Sequence, residues 1–333
     1  MTSRNGATVI SIESATGVIW GHSALELVVD VAADGSVGVR SLSAGGAARG
    51  DVPVTQPLVE VLVAGQGRAR VSQRFSETAV GRRMVYAGSA RRTDGKWSEL
   101  HVDLRDEHTG IEARTVFRSA DGVAACQITT TVTNNGAEMV TLLGVTSFAA
   151  GFGGARVEDL DVLRADSEWL GEGRWSRRPL RDSVPDLGLG LHGQDGRGRL
   201  AVVSTGTWST GTVLPTGGLV DRRTGRAWLW QVEHNGAWRW EVAERRDGAC
   251  VALLGPTDID HQWQHRLVPG ESFTSVPVSL AVSESGVDGA VAALTRHRRE
   301  IVRPHPDRTA LPVVFNDYMN TIMGDPSTAK LLP

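Results

Sequence analysis

From Val9 to about Val282 the chain reads as strand after strand, with no comparable helical periodicity between them. That run constrains the fold more than any single motif. Its clearest part covers residues 99–136. There "ELHVDLRD" alternates apolar and polar residues and "EHTG" makes a turn. "IEARTVFRSADG" is a second strand with its turn, and "VAACQITTTVTNNG" is a third. Period-two alternation with short, turn-rich joints predicts an antiparallel meander. "ALELVVDV", from Ala24, alternates in the same way before "DGSVGV" turns back, and "LVEVLV", from Leu58, continues the series. Closely spaced strands without helices between them predict an all-β fold, a large antiparallel β-sandwich rather than an α/β sheet.

The pattern changes at Ser285. In "SGVDGAVAALTRHRREIVRPH", Val287, Ala290, Val291, Leu294 and Ile301 recur at helical spacing. Ser285 or Asp288 suits the N-terminus of a helix, and Arg296, Arg298 and Arg299 suit its C-terminal half. Pro304 and Pro306 stop it. Three segments are therefore expected: a sandwich domain over residues 1–282, a connector helix and linker over 283–310, and the start of a second domain over 311–333. In the last, an apolar run over 312–315 leads into Asn316, Asp317 and Tyr318. A buried parallel strand delivers functional side chains at its C-terminal end in this way.

Composition narrows the function. Thirty-five basic and 38 acidic residues, net charge −3, are mixed along the chain, so no basic block marks a nucleic-acid surface. The N-terminal stretch "MTSRNGATVISIES" lacks the apolar core of a secretory signal. No apolar run reaches the roughly 18–20 residues of a membrane span. Cys126 and Cys250 sit far apart in apolar surroundings, as buried free thiols do in a reducing cytoplasm; a disulfide is the other reading. Without a CxxC spacing, zinc is not expected, and no cofactor is expected. Ten tryptophans stand against two tyrosines and six phenylalanines. They suit sugar-binding surfaces or a packed interface, and equally a plain β core.

Several segments carry candidate chemistry. His261 and His265 in "DIDHQWQH" are four apart, a metal-like spacing on a helix. The flanking sequence favours a strand, where four residues span roughly 13 Å, so a structural role is expected. "GFGG", from Gly151, lacks the strand–GxGxxG–helix setting of a dinucleotide fingerprint and reads as a turn or bulge. "AWLWQVEHNGAWRWEV", from Ala227, is the sharpest local signal. Asn235-Gly236 fits a two-residue type I′ turn, which places Trp238 and Trp240 on one face of a hairpin and Trp228 and Trp230 on the other. One pair then fills the core, and the other covers a domain, a subunit or a sugar. "GTWSTGTVLP", with Trp208, and "EWLGEGRWSRRPLRD", from Glu168, read as loops, each a candidate for sugar contact. No local spacing singles out a catalytic carboxylate pair, which glycosidases assemble in space.

Together these segments resemble the glycoside hydrolase family 36 α-galactosidases. "GRWSRR", from Gly173, is similar to the family's Gly-x-Trp-x-Arg-Glu-Arg segment, with Arg178 in the place of Glu. "STGTWST" resembles its serine-rich stretch, and "WQVEHNGAWRWEV" its Gln-Ile-Glu-x-Asn-Gly-x-Trp hairpin. "LVPGESFTSVPV" resembles its Pro-Gly-Glu-x-Phe strand, and "PVVFNDYMN" the first strand of its catalytic barrel. The resemblance implies a β-supersandwich of galactose-mutarotase-like fold, then a connector helix, then a (β/α)8 barrel whose later strands carry the nucleophilic and acid/base aspartates. On that reading the chain is the N-terminal half of a retaining α-galactosidase, cut after the first barrel strand, and is inactive alone.

The resemblance also implies site residues. Asn316 and Asp317 would lie at the barrel mouth, and Tyr318 where the family has a Trp lining the galactose pocket. Asp51, in "ARGDVPVTQP", would match a loop residue that reaches a neighbouring subunit's active site, and Trp208 would add a further substrate contact. The expected partners are an α-galactoside or related carbohydrate, the missing barrel and other copies of the chain, with neither nucleic acid nor membrane. The rival readings are a free-standing carbohydrate-binding sandwich and a mutarotase-like enzyme. The latter needs a His and an acid to meet on one sheet face.

Overall fold

The computed structural model describes residues 12–14, 17–45, 56–69, 74–152, 154–194 and 197–314. Its strands form three antiparallel sheets. A four-stranded sheet runs β1 (Ile12–Ser14), β2 (Gly17–His22), β3 (Leu25–Val31), β4 (Val37–Ala44). A six-stranded sheet runs β13 (Arg199–Ser204), β16 (Trp238–Arg245), β17 (Gly248–Leu254), β10 (Val140–Gly151), β18 (His265–Leu267), with β5 (Val61–Val63) also on β10. The largest sheet has ten strands. Its order is β12 (Gly171–Pro179), β11 (Leu160–Glu168), β14 (Thr216–Asp221), β15 (Ala227–Val232), β20 (Val278–Ser283), β9 (Ala125–Asn134), β8 (Ile111–Ala120), β7 (Trp97–Asp106), β6 (Val85–Asp94), with β19 (Ser272–Thr274) on β9.

The expected meander is β7, β8 and β9, paired without a register shift between β7 and β8 or between β8 and β9. Alternation decides its two faces. Leu100, Val102 and Leu104 of β7 are buried in the common core, while Glu99, His101 and Asp103 lie on the other face. Aromatic rings join the sheets: Phe117 packs 6.4 Å from Trp20 and 6.1 Å, edge-on, from Phe148. Trp20 satisfies its indole by donating to Ser98 Oγ at 3.0 Å. Full burial of such side chains stabilises by about 1.5–3 kcal/mol each.

Residues 227–242 depart from the expected hairpin. β15 pairs with β14 and β20 of the large sheet, whereas β16 pairs with β13 and β17 of the six-stranded one. Residues 233–237 therefore cross from sheet to sheet. A type I′ turn needs positive φ at both central positions, and neither Asn235 nor Gly236 has it. All four tryptophans are buried between the sheets, and Trp230 meets Trp240 edge-on at 5.4 Å. Trp228 donates to Leu42 O at 3.1 Å. Four inward indoles favour an arch that faces the two segments across the core over a hairpin that sets them side by side.

Two further expectations change. Most of the segment from Glu168 to Asp182 is not a loop: its central part is β12, paired along β11. Asp258–His261 is a helical turn, α2, rather than part of a strand, capped by Thr257. His261 Nδ1 accepts from Thr257 N at 2.9 Å and Nε2 lies 3.0 Å from Ser204 O. With both ring nitrogens engaged, His261 is structural, as expected. His265 stacks on Trp263. Cys126 and Cys250 are buried free thiols, and burial pushes each up to about 12.

Residues 74–83, including the short helix α1 (Ala79–Arg83), pack against the outer face of the six-stranded sheet. Ionic groups knit the two together. Glu241 accepts from Phe75 N at 2.8 Å and from Arg199 at 3.2 Å, and also from Arg239. Arg239 in turn reaches Asp260 at 2.6 Å. Glu60 has no exposed surface; it accepts from Gln56 at 3.1 Å and from Thr78 N at 3.0 Å.

The expected connector helix is α3 (Val287–Ile301). Ala290, Ala293 and Leu294 form its buried face, and Val291 is exposed. Gly289 permits close approach, because a Cβ there would lie 2.1 Å from Ser283 Oγ. Contacts divide the chain into two units, residues 1–298 and 299–333. In the second, α4 (Asp307–Ala310) is a single turn. Residues 311–314 of the expected barrel strand have irregular, exposed backbone, and Phe315 onward lies outside the described residues.

Candidate functional site

The outer face of the ten-stranded sheet is sorted into rows by cross-strand register. One row is apolar: Ala125, Ala281, Leu229, Gly218 and Leu163 stand opposite one another on five neighbouring strands. Ala290, Ala293 and Leu294 of α3 cover it. Gly218 keeps the row low, since a Cβ there would meet Trp228 O at 2.6 Å.

The next row is polar across seven strands: Arg92, Glu99, Arg118, Gln127, Ser279, Gln231 and Thr216. Arg118 lies 3.8 Å from the Trp97 ring centroid, a close cation–π contact, and 3.5 Å from Glu99. Glu233, one row further, accepts from Gln127 at 2.5 Å and from Ser279. It thereby ties β9 and β20 to the end of β15. Its charge also favours the protonated form of Arg298 on α3, against burial, which lowers that group's pKa. Beyond this row, Asp103 takes a bidentate bond from Arg114, at 2.6 and 3.1 Å. That pair lines a cleft of about 550 Å³ with Glu112, Thr131 and Thr133.

His101 and Glu99 are the His and acid that meet on this face, 3.0 Å apart. Proton transfer at an anomeric centre needs the two groups on either side of the sugar. A pair already bonded to each other leaves no gap, so this arrangement orients side chains rather than flanking a substrate. Among the described residues, no group of three or more His, Cys, Asp or Glu is placed to hold a metal ion.

Of the residues expected to touch substrate, Asn316, Asp317, Tyr318 and Asp51 lie outside the described residues. Trp208 is described: it lies in the loop between β13 and β14 and is 56% exposed. That loop returns beside β11, where Ser167 N donates to Thr212 O at 2.8 Å and Leu214 N to Ala165 O at 3.0 Å. The polar row escaped sequence reading. Each strand contributes one member, and only the register lines them up.

No family model matches the chain. A probable alpha-galactosidase G of Aspergillus terreus is 24% identical over 227 residues, which are 68% of this chain and 29% of that protein. Among solved structures, the GH36 α-galactosidase AgaB of Geobacillus stearothermophilus superposes with a TM-score of 0.70 at 16% identity, covering 95% of this chain and 45% of its own. The α-galactosidase of Lactobacillus brevis gives 0.63 at 11% identity, covering 90% and 42%. The chain thus has the sandwich fold found in GH36 α-galactosidases, and it spans less than half the length of these relatives.

Proposed function

We propose that the chain is the N-terminal β-supersandwich module of an α-galactosidase-like retaining glycoside hydrolase. The observation that carries this reading is a sandwich alignable over 95% of the chain to AgaB, joined to sequence similarity over 68% of it with a second α-galactosidase. The parent reaction is hydrolysis of a terminal α-galactoside with retention, through a covalent glycosyl-enzyme formed by one carboxylate and assisted by another. In this reading that pair belongs to a barrel following α3. Asn316, Asp317 and Tyr318 contact the sugar at the barrel's mouth, and Asp51 reaches a neighbouring copy. The module supports the barrel, shapes the rim of its pocket and mediates oligomers in the cytoplasm.

The test compares two proteins: residues 1–333, and the longest product that the gene encodes when read beyond the Pro333 codon. An aryl α-galactoside should be hydrolysed by the longer product and left intact by residues 1–333. A longer product without α-galactosidase activity would overturn the reading. So would steady turnover by residues 1–333 that disappears when one of their own acids is replaced.

A further inference from the structure

The β11–β12 hairpin turns on two residues, Trp169 and Leu170, between the paired Glu168 and Gly171. Leu170 holds φ at 65°, a left-handed conformation that costs a residue with a Cβ about 1–2 kcal/mol. No burial offsets it: Leu170 is 83% exposed and Trp169 is 75% exposed. Leu170 N donates to Glu172 Oε1 at 3.0 Å, which fixes the tip. Strain at an exposed apolar tip is a reason to look for an interaction there.

Two more exposed indoles are carried by β12 and by the loop that returns to β11. Trp175 of β12 is opposite Ala165 of β11, and Ala165 O is the acceptor of Leu214 N from the Trp208 loop. With neighbouring strands about 4.8 Å apart, the backbones carrying Trp175 and the end of that loop are on the order of 10 Å apart. Trp208 is itself held: Gly211 N donates to Trp208 O at 3.1 Å, and a Cβ on Gly211 would lie 3.0 Å from the indole. The indole therefore packs closely against Gly211. Arg177, two residues from Trp175 and therefore on the same face of β12, is exposed; its Nε donates to Asp161 at 2.8 Å, and its terminal nitrogens add guanidinium donors.

We propose that the β11–β12 hairpin and the Trp208 loop form a carbohydrate-binding surface for galactoside-bearing oligosaccharide chains. The face of a galactose ring opposite its axial hydroxyl carries clustered C–H bonds and stacks on an indole, while the guanidinium group donates to ring hydroxyls. Indoles on separate supports suit successive sugar units along a chain better than one compact apolar plug. The choice of galactosides rests on the α-galactosidase reading, but the surface is tested by binding rather than turnover.

The test is native electrophoresis of the 333-residue chain through gels containing galactomannan, unsubstituted mannan or no polysaccharide. Galactomannan alone should retard it. Trp169→Ala, Trp175→Ala and Trp208→Ala should each weaken that retardation about fivefold or more, with unchanged thermal unfolding because the rings are exposed. Retardation absent in the parent chain, equal in both polysaccharides, or untouched by the three substitutions would overturn the proposal. So would a change of sedimentation from oligomer to monomer in variants that are still retarded, which would make the surface a contact between copies. Failure here would leave the hydrolysis assay unaffected, so the two readings fall separately.

Discussion

Glu60 is a carboxyl group with no exposed surface, and burial pushes it up to about 7 against the donors Thr78 and Gln56. Between its ordinary value of 4.5 and about 7, the folded chain holds a proton that the unfolded chain has released. Its contribution is fully present below pH 4.5 and is lost as pH rises through 7. The full span corresponds to about 3 kcal/mol. Urea unfolding at intervals from pH 4.5 to 7.5 should show this fall in the parent chain and a flatter curve in Glu60→Gln. Equal slopes in the two proteins would show that Glu60 ionises normally. At Leu170 the sign is opposite for a backbone reason. Leu170→Gly should raise stability by about 1 kcal/mol, because glycine adopts positive φ without the Cβ penalty; a lower melting temperature would contradict it.

Among the elements, α3 is docked by few side chains. Leu294 is the largest of its buried apolar residues over the row of Ala125, Ala281, Leu229 and Leu163. Leu294→Ala should cost about 2–5 kcal/mol, with early hydrogen exchange confined to the helix if it opens alone. A loss under 1 kcal/mol would mean that the helix barely contributes. The helix was legible in the sequence because its period is local, and so was the meander, whose strands follow one another with short turns. The arch over residues 233–237 was not. Asn235-Gly236 is a local turn signal, whereas the partners of β15 and β16 come from distant parts of the chain. The polar row across seven strands was hidden for the same reason. Trp208 was legible as an exposed candidate, but the return of its loop to β11 depends on bonds linking Thr212 and Leu214 to Ser167 and Ala165 that no spacing encodes.

For the whole molecule, the two thiols report on the integrity of both large sheets, since Cys126 lies in β9 and Cys250 in β17. With each pushed up to about 12 and buried, neither should react with a thiol reagent at pH 8 in the native chain. Both should react promptly in denaturant. One thiol labelled early under native conditions would reveal that its sheet opens independently of the other.

The order of the large sheet has a consequence for how the chain is made. β20 lies between β15 and β9, so it joins the half-sheet made of β6 to β9 to the half made of β11, β12, β14 and β15. It is also the last strand of that sheet to leave the ribosome. At about 5–20 residues per second, β9 waits on the order of ten seconds for its neighbour. Until then both halves present an open edge to other nascent chains, and a translational pause before residue 278 would prolong that exposure.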